Sequence, residues 1–389
     1  MARNGFAVVD SDMHVYDPPD LYMNYMDPKW GERIPRADPR QGHGRIQFRL
    51  GDGTSLRPRS QRIETVEKKV EDRYVESAAC GYDPASQLRA MDREGIDVAI
   101  LFRTSPLYAN DNFEPEYALA LCQAWNNWIA DYCKEDPTRM RPSSLIPMHD
   151  VDLAVKEARR TVQELGTAGF SIGPETVNGR LIHDTYYDPL WATVQDLDVP
   201  VCFHPPAGPG SVQASQIFFG HPNDRILANA FRNPVEQMFA VGSICGGGVL
   251  EKFPSLRVAF LEGNCSWLPW VLYRLDERFE LAADLADVPL KLKPSEYFQR
   301  QCCIAMDIDE ERVVDVIRIL GDDALVISTD YPHIDSKWPH AVDTFLSLEG
   351  ISESSQRKIL GANCARLYNI EVGEKGSGAK VSGALPKGP

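Results

Sequence analysis

Asp12 and His14 stand two residues apart in "VVDSDMHVYDPPDL", residues 8–21, where a β-rich run gives way to a Pro-rich turn. An acid and an imidazole at period two share one side of a strand. Other apolar runs end in similar residues: His204 after "VPVCF", Glu262 after "LRVAFL", Asp330 after "ALVIST", with His333 in the turn beyond, and His149 after "RPSSLIPM". Brought to one place, such a set needs a cation, because carboxylates repel one another and a buried charge costs several kcal/mol. Imidazole mixed with carboxylate suits iron, zinc or manganese, whereas an oxygen-only set would suit magnesium or calcium. The candidate metal ligands are therefore Asp12, His14, His204, Glu262, Asp330 and His333. His149, His183 and His221 are expected in structural roles, and His43 and His340 at the surface.

The elements that must bring these residues together follow from the hydrophobic pattern. Short β-rich runs ("FAVVDSD", "VAILFR", "RPSSLIPMH", "GFSIGP", "VPVCFHPP", "LRVAFLEGN", "QCCIAM", "ALVISTDYPH") alternate with helical periods such as "DPASQLRAMDRE" and "YALALCQAWNNWIADYCKED". Asp152 and Asp188 read as helix N-caps, with Pro189 at the first helical position. Eight apolar strands, each followed by a helix, predict a closed (β/α)8 TIM barrel over residues 1–371. The competing open doubly wound sheet lacks its Gly-rich phosphate turn after the first strand. "CGGGVL" falls inside a helix, without the GxGxxG spacing, and is expected to serve close helix packing. In a barrel, the strand ends that carry the candidate ligands converge on one mouth.

Two segments fall outside the alternation. Residues 30–80 contain "GRIQFRLGDGTSLRPRSQ", expected as a hairpin turning at Asp52-Gly53, then a charged helix "ETVEKKVEDRY"; placed after the first strand, this insertion is expected to cover the mouth as a lid. Residues 372–389, rich in Gly, Lys and Ser, are expected to form a disordered tail. The 389 residues carry a net charge of −15, which argues against nucleic-acid or anionic-membrane partners. Nine cysteines without a CxxC pair disfavour a disulfide framework or zinc ribbon, and Cys302 and Cys303 are expected as small buried apolar residues. With no run of 18 apolar residues and no apolar leader in "MARNGFAVVD", the expectation is a soluble, cytoplasmic protein. Trp267 and Trp270, three apart, are expected as one core stripe of a helix, and a homo-oligomer is compatible with all of this.

Taken together, "DSDMHVYDPPDLY", "YDPLWATVQDLDVPVCFHPP", "GGGVLEKFPSLRVAFLEGNCSWLPWVLYRLDE", "STDYPH" and "KILGANCARLYNI" resemble the amidohydrolase-related branch of the metal-dependent amidohydrolase superfamily, over roughly residues 8–370. The resemblance implies metal ligands at Asp12, His14, His204 and Asp330. Many relatives carry His where this chain has Glu262. The bridging Lys of binuclear hydrolases has no counterpart in "GFSIGPE". Glu262 and His333 together make the set similar to that of TIM-barrel non-heme diiron monooxygenases of diterpenoid (platensimycin/platencin-type) biosynthesis, a smaller branch of the same superfamily. That likeness implies two iron ions, a coenzyme A-linked small-molecule substrate, and an external reductase, since no nucleotide fingerprint is present. Arg45, Arg49, Arg57 and Arg59 would then face the coenzyme A phosphates. Asp330, Glu262 and His333 are the candidate catalytic groups. The alternative is one zinc or manganese ion in a mononuclear hydrolase or non-oxidative decarboxylase, with Asp330 doubling as general base.

Overall fold

The structure, a computed structural model, describes residues 5–37, 48–53, 71–104, 113–205, 224–285, 288–373 and 380–381. Its centre is an eight-stranded parallel sheet in chain order. The strands are β1 (Val9–Val15), β2 (Val98–Arg103), β3 (Met140–Leu145), β4 (Gly169–Ile172), β5 (Val201–Phe203), β6 (Val258–Phe260), β7 (Cys302–Asp307) and β8 (Leu325–Ser328). Each pairs in parallel with the next, as in Ile100↔Arg141 and Cys202↔Ala259. Helices return the chain between strands, among them α1 (Pro84–Glu94), α2 (Pro115–Cys133), α3 (Val151–Leu165), α4 (Asp188–Asp196), α5 (Asp224–Val241), α6 (Leu268–Ala282) and α7 (Val313–Leu320). This is the expected (β/α)8 TIM barrel.

The barrel closes between β8 and β1 through scattered backbone and side-chain hydrogen bonds rather than a regular ladder. Ser11 Oγ donates to Ile327 O at 2.6 Å, and His14 N donates to Tyr331 O at 2.6 Å. The buried Asp10 carboxylate accepts from Asp12 N at 3.1 Å and Thr329 N at 3.2 Å, and from Thr329 Oγ1. Burial pushes this carboxyl up to about 7, against the pull of those donors. β1 slips register between Asp10 and Met13, and Asp12 N bonds back to Asp10 within the slip.

Alternate strand residues fill the barrel interior: Val98, Ile100 and Phe102 from β2, with Cys202, Ala259, Cys303, Ala305 and Val326. Cys303 is thus a small buried apolar residue, as is Cys302 on the opposite face. The C-terminal helix Asn363–Tyr368 seals the end of the barrel away from the candidate ligands, where a Cβ on Gly169 would lie 3.0 Å from the Tyr368 ring. Outward strand residues meet the helices in a larger core containing Trp125, Trp191, Tyr297 and Phe345.

Several local expectations are corrected. Asp150, not Asp152, caps α3, its carboxylate accepting from Leu153 N at 3.0 Å. Asp188 lies within the first turn of α4 and pairs with Lys252 Nζ at 2.5 Å. The glycine run does not sit in one continuous helix. It starts at Gly246, the last residue of the π-turn Gly242–Gly246, and a Cβ on Gly247 would lie 2.6 Å from the side chain of His183 in a turn, so the close approach there is to a loop rather than to a helix. Trp267 and Trp270 do not form a core stripe: Trp267 packs against the core, whereas Trp270 is 63% exposed.

In the insertion, Phe48–Arg49 pairs antiparallel with Arg36–Ala37, and Leu50 O accepts from Gly53 N at the turn. Residues 54–70, including Arg57, Arg59 and most of the expected charged helix, lie outside the described residues, as does Arg45. The insertion ends in the short helices Glu71–Tyr74 and Val75–Ala79. In the tail, Val372–Gly373 pairs with Lys380–Val381, and the rest lies outside the described residues. No helix among the described residues is long and apolar enough to cross a membrane.

Candidate metal centre

The site is assembled from the carboxyl ends of four strands. β1 is buried along its whole length, and its alternation sends Asp12 and His14 to the same point. His204 follows the last residue of β5, and its ring stacks on Phe102 with centroids 5.7 Å apart. Glu262 and Asp330 stand just beyond β6 and β8 with left-handed backbone, φ 51° and 54°. That conformation turns the chain sharply at each strand end and costs a non-glycine residue on the order of 1–3 kcal/mol.

The resulting geometry is compact. His14 Nε2 lies 3.2 Å from His204 Nε2, 3.3 Å from Asp330 Oδ1 and 3.4 Å from Asp12 Oδ1. His204 Nε2 lies 3.6 Å from Asp12 Oδ1. Metal–ligand bonds of about 2.1 Å in a tetrahedral array place ligand atoms roughly 3.4 Å apart, so the spacing fits one ion. Asp12 and His14 are fully buried. Neither Asp12 oxygen has a hydrogen-bond donor among the described residues. A buried carboxylate with two bare oxygens facing two imidazoles is the donor set that a divalent cation satisfies.

Glu262 and His333 flank this group. Glu262 Oε2 lies 2.8 Å from His204 Nε2, and its Oε1 accepts from Asn233 Nδ2 at 3.1 Å. His333 Nδ1 lies 2.6 Å from Asp330 Oδ1, its Nε2 lies 3.3 Å from Thr104 Oγ1, and its ring rests 4.0 Å from that of His14. Two ligand-like trios are present, Asp12–His14–His204 and His14–Asp330–His333. The Nε2 atom of His14 faces the acids of both, so they surround one position rather than two.

Electrostatics follow from burial in a cluster of charge. Burial pushes the Asp12 carboxyl up to about 7, with His204 opposing. Burial alone would lower His204, but the charges of Glu262 and Asp12 outweigh it and raise the imidazole to about 9. Burial likewise acts to raise Glu262, but the charge and hydrogen bond of His204 hold it well below the usual carboxylate range. Asp330 is driven well above that range by burial and then by Asp335, Glu262 and Asp12.

A cavity of about 180 Å³ opens beside the cluster, lined by Asn233, Glu262, Asn264, Asp307, Asp330 and Lys337 among others. The remaining histidines lie elsewhere. His149 is buried against Phe113, His183 packs beside Gly247, and His340 is exposed at the start of the helix Ala341–Leu346. His43 and His221 lie outside the described residues. Sequence reading missed Thr104, Phe102 and Asn233. The first two end the β2 run and were open to the same strand-end rule; Asn233 lies on α5, where nothing in the sequence points to the site.

Fold and donor set together define a parallel barrel with a candidate site for a divalent ion at its mouth. The sequence profile of the Amidohydrolase family matches residues 9–370, and the chain belongs to that family. Among curated relatives, the gamma-resorcylate decarboxylase of Polaromonas sp. is 29% identical over 293 residues, covering 73% of this chain and 86% of that protein. The 2-amino-3-carboxymuconate-6-semialdehyde decarboxylase of Dictyostelium discoideum is 27% identical over 291 residues, covering 75% and 77%. Among solved structures, an amidohydrolase from Mycobacterium avium subsp. paratuberculosis superposes with a TM-score of 0.74 at 21% identity, covering 94% of this chain and all of that one. The dihydroxybenzoic acid decarboxylase of Polaromonas sp., with bound manganese and the inhibitor 2-nitroresorcinol, gives 0.64 at 23% identity, covering 93% and 97%.

These relatives correct the expectation of a diiron monooxygenase. The aligned curated proteins are mostly decarboxylases, with a 2-keto-4-carboxy-3-hexenedioate hydratase also among them, and none of these names describes an oxygenase, so they give no support to two irons, a reductase or a coenzyme A thioester. Arg49, expected at a coenzyme A phosphate, is exposed on the two-residue strand paired with Arg36–Ala37.

Proposed function

We propose that this protein is a metal-dependent, non-oxidative decarboxylase of a small aromatic or conjugated carboxylic acid. The observation that carries the reading is the bare, buried Asp12 carboxylate between His14 and His204, in a family most of whose aligned curated relatives are decarboxylases. Asp12, His14, His204 and Asp330 would hold one divalent ion, with manganese or zinc suiting the mixed donors. When bound, the ion supplies positive charge that anchors an oxygen of the substrate and draws electrons from the bond to be broken.

The chain's own groups do the rest. Fully buried Asp12 and His14 form a floor that water does not reach, so substrate enters from the side of Glu262 and Asn264. His333 and Thr104 fix the orientation of Asp330. Glu262 carries the proton. Its carboxyl lines the cavity and is oriented by Asn233, so it can take a proton from solvent and present it to the bound substrate. The proton passes from Glu262 Oε2 to the carbon that loses its carboxylate; the electrons of the broken C–C bond stay on that carbon, and carbon dioxide leaves.

The test is turnover of 2,6-dihydroxybenzoate and related ortho-hydroxy aromatic acids under argon, with manganese added. The reading expects stoichiometric carbon dioxide and the decarboxylated ring without oxygen. A requirement for oxygen and an electron donor, or metal-loaded protein inert toward the whole panel, contradicts it.

A further inference from the structure

The loop after β8 must hold Asp330 and His333 in place, yet it has no regular secondary structure before the helix Ala341–Leu346. Its backbone carbonyls therefore need donors from elsewhere. Three come from two residues at the end of the insertion that follows β1. Arg73 Nη1 donates to Ser336 O and Nη2 to Ile334 O, both at 2.6 Å. Tyr74 Oη donates to His333 O at 2.8 Å. The contact continues through Ser77 Oγ, 2.8 Å from Tyr331 Oη, and through the Tyr74 ring, stacked on Trp338 at 5.6 Å and edge-on to Tyr331 at 5.7 Å.

We propose that Arg73, supported by Tyr74, is a positioning residue for the metal centre, its guanidinium clamping the backbone of residues 334–336 so that Asp330 and His333 stand at the ligand position. This rests on reading Asp330 as a metal ligand. The hydrogen bonds of Arg73 and Tyr74 end on the carbonyls of His333, Ile334 and Ser336, so both act on the ligands through main chain. Two forked, charge-assisted bonds fix the spacing of two carbonyls, which a lysine, with a single point charge, does not reproduce. The geometry also changes the meaning of the insertion. Its far end is a structural brace for the metal-ligand loop, linking the excursion that leaves β1 to the ligands that leave β8.

The test uses the full chain with Arg73→Ala and Tyr74→Phe, reading hydrogen exchange at residues 331–338 and manganese affinity by titration. Arg73→Ala is expected to speed exchange in that loop and to weaken manganese binding about tenfold, as loss of a ligand's outer support does. Millimolar guanidinium is expected to restore part of the affinity. Tyr74→Phe, which keeps the ring stack, is expected to move both readouts the same way by less. Unchanged exchange in the loop, or faster exchange with unchanged affinity, overturns the proposal. Should Arg73→Ala fail to fold, Tyr74→Phe decides by the same two criteria. Wild-type protein that binds no manganese overturns the metal reading instead, and the exchange measurement still decides whether the brace exists.

Discussion

At the scale of single residues, the account separates groups that hold the ion from groups that act beside it. His204 and Asp330 come from strands on different parts of the barrel and each lies within 3.3 Å of His14 Nε2. His204→Ala and Asp330→Ala are therefore expected to weaken metal binding at least about a hundredfold, read by equilibrium dialysis of manganese. Glu262→Gln keeps the hydrogen bond from Asn233 but cannot pass a proton. It is expected to retain the metal and lose about a hundredfold or more in kcat, with KM little changed. Loss of metal in that variant would make Glu262 a ligand rather than the proton carrier.

The elements explain why those residues meet. Asn126 on α2 shows how tightly the strand ends are fixed: its Oδ1 accepts from Leu145 N at 2.7 Å, and its Nδ2 donates to Leu145 O at 3.0 Å and Glu157 Oε1 at 2.7 Å. Asn126→Ala leaves buried groups on β3 and α3 without partners and is expected to cost ~2–3 kcal/mol in denaturant unfolding, with metal binding retained. The eight strands were legible because β-branched and aromatic runs bounded by Gly, Pro and Asp must be buried on both faces. Their ends exposed the acids and imidazoles for the same reason. What was not legible depends on contacts distant in sequence. The Asp10 clasp on Thr329, the pairing of Phe48–Arg49 with Arg36–Ala37, and the exposure of Trp270 are tertiary outcomes that no local period encodes. Nor did the acid at position 262 disclose its bond to His204; paired acids with histidines suggested two irons until the shared His14 and the decarboxylase relatives pointed to one centre.

For the whole molecule, the cluster links stability to pH and metal. In the metal-free fold Asp12 rises from its usual 3.8 to about 7 and His204 from 6.5 to about 9. Both groups thus bind protons more tightly folded than unfolded. Their contribution is complete at low pH; that of Asp12 falls as pH climbs from about 4 to about 7, that of His204 as it climbs through about 9. A divalent ion needs the same groups deprotonated. The rise in Tm on adding manganese is therefore expected to be small near pH 5 and larger near pH 8, and an increment that is flat or reversed would contradict this linkage. The most direct measurement of the central claim is metal stoichiometry on wild-type, Glu262→Gln and His204→Ala proteins reconstituted with manganese and passed through a desalting column. The account predicts one ion per chain in the first two and almost none in the third; two ions per wild-type chain, or one retained without His204, would contradict it.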